Sequence, residues 1–381
     1  MSARTTPPFR ADHVGSFLRP AKLHEARKQH AAGAISAEQL RAVEDEAVRE
    51  VVALQREAGL RSVTDGEFRR ATWHMDFVYQ IGGISKVPGN LLSTFHNDQG
   101  DITYTPDAIH VTRRLSMDKT IFGEDFAFLQ SVAGTAPSRA GTPLVPKLTI
   151  PAPSMVHYRS GVRAVVDESV YPDVEEFWTD LGAAYNDEVQ RLAAQGCRYL
   201  QLDDTSLAYV NDPAQREYIA ARGEDAEHIH ERYIALTNAA VANRPADMAI
   251  TTHLCRGNFQ SSWVASGGYD FVAESLFNGL DVDGFFLEYD DERSGGFEPL
   301  RFVPKGKQVV LGLVTTKRPQ LESRDDLKRR IDEAAKYVPL DQLCLSGQCG
   351  FASTEAGNAL TADDQKAKLE LIVETTAEVW G

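Results

Sequence analysis

Short apolar runs with strand-like alternation are separated along this chain by longer stretches in which apolar residues return every third or fourth position. Residues 10–17 read as a first strand running into a Gly-Ser turn at Gly15-Ser16, and helical sequence begins after Pro20. Ser36 and Gln39 have capping-box spacing, Leu40, Val43, Ala47, Val51 and Leu54 then share one helix face, and Gly59 stops the helix. A second strand, 61–64, ends in the polar turn Asp65-Gly66-Glu67, and 144–151 reads as a third. Pro172 and Asp173 open a helix carrying Phe177, Leu181, Tyr185, Val189 and Leu192 on one face, and Gly196 ends it. The fourth strand, 197–202, delivers Asp203 and Asp204 at its end; a helical stretch over 214–241 leads to the fifth, which closes on Thr251-Thr252-His253-Leu254-Cys255. After a short helix over 269–280, residues 284–287 form a sixth strand reaching Glu288, and 308–314 a seventh. Ser323 and Asp326 start a helix with Leu327, Ile331, Ala335 and Val338; residues 342–347 are an eighth strand leading to Cys349, and Thr361 with Asp364 begins the terminal helix.

Eight strands, most separated by helical sequence, predict an α/β fold: a single (β/α)8 TIM barrel spanning residues 1–381. A doubly wound open sheet is the main rival, and the absence of a Gly-x-Gly-x-x-Gly turn after the first strand weakens it. From about 74 to 142 the rhythm changes: Gly82-Gly83, Pro88-Gly89 and Asn97-Asp98-Gln99-Gly100 punctuate alternating pieces such as Ile102-Thr103-Tyr104. This predicts an inserted excursion after the second strand, a hairpin and a short helix placed to cover a site.

Composition narrows the function more than the fold. A formal net charge of −15 argues against a nucleic-acid footprint. The first residues carry no apolar stretch long enough for a signal peptide and no later run approaches a membrane span, so a cytoplasmic enzyme without a membrane partner is expected. Cys197, Cys255, Cys344 and Cys349 are too few and scattered for a disulfide framework, which leaves core, metal-ligand or nucleophile roles.

The site of such a barrel lies at the C-terminal ends of its strands. The polar residues there are Ser16, Glu67, Asp203, Asp204, His253, Cys255, Glu288 and Cys349. His253 and Cys255 point the same way from one strand end, and with Glu288 and Cys349 they supply the imidazole, thiolate and carboxylate donors that Zn2+ takes in a tetrahedron. The plainer alternative is a packed histidine, two buried thiols and one acid of an acidic loop.

The segments Val14-Gly15-Ser16-Phe17, Asp65-Gly66-Glu67, Leu200-Gln201-Leu202-Asp203-Asp204, His253-Leu254-Cys255, Leu287-Glu288 and Gln348-Cys349-Gly350 run from near the start of the chain to near its end. In that order they resemble the catalytic barrel of cobalamin-independent methionine synthase, specifically its short single-barrel relatives. The resemblance implies a zinc site at His253, Cys255, Glu288 and Cys349. It also implies an amino-acid site in which Asp203 and Glu67 hold a substrate ammonium while the turn at Ser16 receives the carboxylate. The expected activity is methyl transfer to the thiol of homocysteine, forming methionine, with a 5-methyltetrahydrofolate as donor and a methylcorrinoid, free or on a protein, as second choice. Zinc would hold the thiol as thiolate near neutral pH, and Asp203, Glu67 and Asp204 are the acids available to the chemistry.

The departures from the family pattern fall on the donor side. Its histidine after the seventh strand is absent from Val314-Thr315-Thr316-Lys317-Arg318-Pro319, and its tryptophan after the third strand gives way to Pro153-Ser154-Met155-Val156-His157-Tyr158. Asp204 stands where the family has glutamate, a shorter reach for a general acid. Trp73, His74 and Asp76 are placed to line a donor pocket or to pack on one another, and His13 to touch substrate or cap its strand. Three rivals stay open: a zinc alkyl transferase acting on another thiol, a metal-free barrel enzyme related to porphyrinogen decarboxylase, and a zinc-stabilised binding protein without turnover.

Overall fold

The computed structural model describes residues 4–89, 92–97, 100–135, 137–138, 141–158 and 160–381. Six strands form one parallel sheet in chain order: Leu148–Pro151, Tyr199–Asp204, Ala249–Leu254, Gly284–Glu288, Gln308–Val314 and Leu343–Gly347. Two shorter segments complete the circuit. Ser62–Val63 pairs in parallel with Val145–Pro146, just ahead of the third strand, and Ala11 bridges in parallel to Leu345. Between the first and second strands the seam is held by Thr64 Oγ1 donating to Gly15 O (2.6 Å), Ser62 Oγ to Asp12 Oδ1 (2.8 Å) and Phe17 N to Gly66 O (3.1 Å). Eight parallel segments therefore follow one another around the ring, the expected (β/α)8 order.

The first two strands are shorter than their apolar pattern suggests, because side chains take backbone donors from the ladder. Asp12 accepts from the amides of Phe9 (3.0 Å) and His13 (2.8 Å), and Gln55 Oε1 takes the Thr64 amide (2.9 Å). The predicted capping box forms at Ser36/Gln39, opening Ala37–Ala58, and another forms at Thr361/Asp364, opening Ala362–Trp380, whereas Ser323, expected to cap Arg324–Ala334 with Asp326, makes no side-chain cap hydrogen bond. Asp173 caps Val174–Ala194. The stretch read as one helix over 214–241 is two, Pro213–Ala220 and Ile229–Val241.

Alternation along the strands sorts the core into two layers. One large cluster of buried side chains fills the space between strands and helices, and a small one, Val14, Phe286, Val310 and Cys344, lies apart from it, as expected of side chains inside the ring. The strand faces that carry these residues also carry Gln201, Asp203, Thr251 and His253. Polar and apolar groups therefore share the interior, where Lys147 also pairs with Asp12 at 3.5 Å and lies over the Phe286 ring.

The excursion after the second strand holds more structure than one hairpin. Gly82–Val87 pairs antiparallel with Ala108–Ser116, and Ser93–Asn97 pairs antiparallel with Gly100–Tyr104. Helix Gly123–Ala133 follows; Arg41 of helix Ala37–Ala58 donates to Asp125 at 2.7 Å, so this helix packs where the second helix of a barrel belongs. The added segment proper is the antiparallel part before it. No helix among the described residues is long and apolar enough to cross a membrane.

Candidate active site

Register brings the strand-end residues together. Asp203 and His253 are Cα partners on adjacent strands, as are His253 and Phe286, which puts Glu288 two residues farther along the sixth strand. The ligand-capable atoms of His253, Cys255, Glu288 and Cys349 all lie within 4.8 Å of one another, and all four side chains are buried. Cys255 Sγ and Cys349 Sγ are 3.5 Å apart. Neither ring nitrogen of His253 has a hydrogen-bond partner, nor has Glu288 Oε2, although each is shut off from solvent. Buried polar atoms without partners cost free energy, and a cluster of them around one point fits a cation taking imidazole, thiolate and carboxylate donors. The residues present therefore fit zinc.

The surroundings set the protonation states. The Cys349 thiol is held well below its ordinary range, first by the hydrogen bond from Cys255 and then by His253; the same contact pushes the Cys255 thiol up. Burial pushes the Glu288 carboxyl up, against Lys317. Glu288 is fixed from behind: its Oε1 accepts from the Arg256 amide (3.1 Å), its own amide donates to Tyr269 Oη (2.9 Å), and Arg256 Nη1 donates to its carbonyl (2.9 Å). Lys317, which stands in the segment that lacks the family's histidine, pairs instead with Asp290 at 3.2 Å.

A cleft enclosing about 1010 Å³, its open mouth included, runs over this cluster. Ser16, Glu67, Asp203, His253, Cys255 and Cys349 line it, whereas Glu288 and Asp204 do not. Asp203 Oδ1 accepts from Gln201 Nε2 (2.7 Å), and burial lifts its carboxyl to about 7. Glu67 Oε1 accepts from Thr149 Oγ1 (2.8 Å) and lies 3.6 Å from Arg70 Nη1, while its Oε2 is buried without a partner. Glu67 also sits at φ 61°, a left-handed backbone uncommon for a side chain of its size, at the turn that aims it inward. Ser16 Oγ accepts from the Ala352 amide at 3.3 Å.

Other predicted residues fall elsewhere. Asp204 accepts from Ser154 Oγ (2.9 Å), Ser206 Oγ (2.7 Å) and the Leu207 amide (2.9 Å), which occupies both carboxylate oxygens in shaping the turn after the fourth strand. His13 faces Ser62 O (3.2 Å) away from the cleft, His157 packs on Trp178 and Tyr233, and Asp76 accepts from Thr72. Trp73, His74 and Tyr158 do line the cleft. Reading strand ends alone missed Thr149, Gln201 and Arg256, which hold the acids; for Gln201 the signal was present, two residues before Asp203 on one strand face.

Comparison with known proteins agrees with this geometry. The family profile described as cobalamin-independent synthase, catalytic domain, matches residues 141–376. The chain belongs to this family. It is 48% identical to YxjH of Bacillus subtilis strain 168, an uncharacterized protein, over 98% of this chain and 95% of that one. A candidate vitamin-B12-independent methionine synthase from Listeria monocytogenes, of known structure, superposes with a TM-score of 0.76 at 36% identity, covering 99% of this chain and 100% of that one. The 5-methyltetrahydropteroyltriglutamate–homocysteine methyltransferase of Thermotoga petrophila is 23% identical over 91% of this chain, which spans 42% of that longer enzyme. The chain is thus a short, single-domain member of the methionine synthase-like methyltransferase family.

Proposed function

We propose that this protein is a zinc-dependent methyltransferase that methylates the thiol of homocysteine to give methionine, in the cytoplasm. The observation that carries this reading is the convergence of the His253, Cys255, Glu288 and Cys349 ligand atoms with both imidazole nitrogens and one carboxylate oxygen unpartnered. His253, Cys255, Glu288 and Cys349 would hold the metal, and bound zinc supplies a means of keeping the substrate sulfur as thiolate at neutral pH. Asp203 and the free Oε2 of Glu67 bind and orient the substrate ammonium, charge against charge in a buried site. Ser16 and its turn receive the carboxylate. Gln201 and Thr149 keep the two acids in place, and Arg256 keeps Glu288 in place. The donor expected from the family is a 5-methyltetrahydrofolate, with a methylcorrinoid as the second possibility.

The test is metal analysis joined to single-turnover methyl transfer to homocysteine. Zinc at about one ion per chain is expected by the ligand set. Cys349→Ser removes one of four donors; with structural zinc worth roughly 10–16 kcal/mol, a quarter of that is about 3 kcal/mol, so zinc affinity falls by about 10²-fold and methyl transfer with it. A Cys349→Ser protein that keeps full zinc and full activity would overturn the assignment.

A further inference from the structure

The segment inserted after the second strand takes no part in thiol activation, yet it walls the cleft. In the ladder of Ser93–Asn97 with Gly100–Tyr104, Ser93 faces Tyr104 and Phe95 faces Ile102. Alternation puts these four side chains on one side of the hairpin. Three of them, Ser93, Phe95 and Tyr104, line the cleft. The hairpin's outer edge is clasped to the loop after the fifth strand: the His96 amide donates to Trp263 O (2.7 Å) and the Trp263 amide to His96 O (2.9 Å). In the same loop Phe259 lies 5.2 Å from the Phe95 ring and 5.1 Å from the Tyr104 ring, the latter nearly parallel at 26°. Phe95 and Tyr104 stay only half-buried, their rings turned to the cavity.

Charge in the cleft is one-sided. Glu67 and Asp203 line it, and no lysine or arginine does so among the described residues. An anionic chain bound along this wall would meet carboxylates and, among the described residues of the lining, no lysine or arginine, an unfavourable desolvation without a side-chain partner. The loop after the third strand contributes Met155 and Tyr158 where the family presents a tryptophan, and the insertion adds the Phe95 and Tyr104 rings to the lining.

We propose that Phe95, Tyr104 and Phe259 are the residues that determine the methyl donor: a free carrier with a flat conjugated ring stacks on this wall, and no anionic part of it is recognised inside the cleft. This rests on the methyltransferase reading above. In the transfer the carrier's methyl–nitrogen bond breaks with its electron pair staying on nitrogen, which takes up a proton from solvent. The thiolate sulfur forms the new carbon–sulfur bond, and nothing is oxidised or reduced. A cleft of about 1010 Å³ takes a free carrier of this kind, and the proposed donor is a diffusing one rather than one presented by a protein.

The experiment uses the full zinc-loaded chain, steady-state methyl transfer, and equilibrium binding of 5-methyltetrahydrofolate followed by quenching of protein fluorescence. Phe95→Ala, Tyr104→Ala and Phe259→Ala should each raise the donor KM and Kd by roughly 3- to 10-fold, the range of a single aromatic pair. Zinc content, homocysteine KM and kcat at saturating donor should hold, and Tyr104→Phe should restore binding. Mono- and triglutamyl methylfolates should agree within about threefold, since no charged contact separates them. Unchanged donor binding in all three alanine variants, equal losses for donor and homocysteine, a tenfold or greater preference for the triglutamate, or turnover only with a protein-bound methylcorrinoid would each overturn the inference. Failure of the methyltransferase reading looks different: no zinc, or no methyl transfer from any donor. The binding titration then still decides whether the wall takes a flat ring.

Discussion

Asp203→Asn is the perturbation that separates amino-acid recognition from metal binding. The exchange keeps the shape of a side chain that is 6% exposed, and the new amide oxygen can keep the hydrogen bond from Gln201 Nε2, now 2.7 Å from Oδ1. The atom left facing the cleft then becomes an N–H donor where an acceptor stood. Against a substrate ammonium this replaces a charge-assisted bond by two opposed donors in a buried place. Truncating one partner of such a pair costs about 2–5 kcal/mol, and about 3 kcal/mol is apt here because Glu67 remains; that is about a 10²-fold loss of homocysteine affinity. The assay is a cycle of two proteins and two thiols, homocysteine and 4-mercaptobutyrate, which lacks the amino group, with zinc content matched. Loss should appear for homocysteine alone. If the variant weakens both thiols equally, or sheds its zinc, Asp203 does not act through the ammonium and the proposed substrate orientation fails.

Two further predictions concern stability. Removing zinc with a chelator leaves both His253 ring nitrogens and Glu288 Oε2 buried and unpaired; at a metal concentration a thousandfold above Kd the lost stabilisation is about 4 kcal/mol, or a Tm fall of about 5 °C for a chain this long, reversed by added zinc. An unchanged Tm in verified metal-free protein would contradict the site. Glu188 is buried, accepts from the Ile121 amide at 2.9 Å through Oε1, and has no partner on Oε2; burial raises its carboxyl to about 8. Because the folded value lies above the unfolded one, the stability it contributes is complete below about pH 4.5 and is lost as pH rises toward 8. Glu188→Gln should therefore match the wild type near pH 4.5 and exceed it by about 3 kcal/mol, or roughly 4 °C in Tm, at pH 7, and thermal melts that run parallel across this range would refute the burial argument.

How far the sequence could be read depended on which physical rule governed each residue. The candidate metal cluster was legible because strand alternation is local: His253 and Cys255 share a face by spacing alone, and Glu288 and Cys349 stand at the ends of runs too apolar to be anything but interior strands. The capping box at Ser36/Gln39 was legible for the same reason, while the same local spacing at Ser323/Asp326 gives no cap. The first strand was over-read because Asp12 and His13 spend their backbone and side-chain groups on one another's neighbourhood, a tertiary effect that apolar spacing does not reveal. Asp204 looked like a working acid by its place in the chain. Only the positions of Ser154 and Ser206, brought close by the turn, show where its carboxylate oxygens go.

The insertion marks the other limit, and it explains why acceptor and donor sides differed in legibility. Residues that bind and orient the thiol substrate must be fixed to within fractions of an ångström, so they sit on strand ends, and the partners that hold Asp203 and Glu67 sit on the same or an adjacent strand. Such positions follow from period and register. Contacts to a planar carrier demand less, since a flat ring needs only apolar area at a suitable tilt, and loops can supply it from any part of the chain. Phe95, Tyr104 and Phe259 come from segments more than 150 residues apart and meet only because His96 and Trp263 pair their backbones. A chain without the family's tryptophan and histidine on the donor side can therefore keep the thiol chemistry intact while rebuilding the opposite wall from an added hairpin.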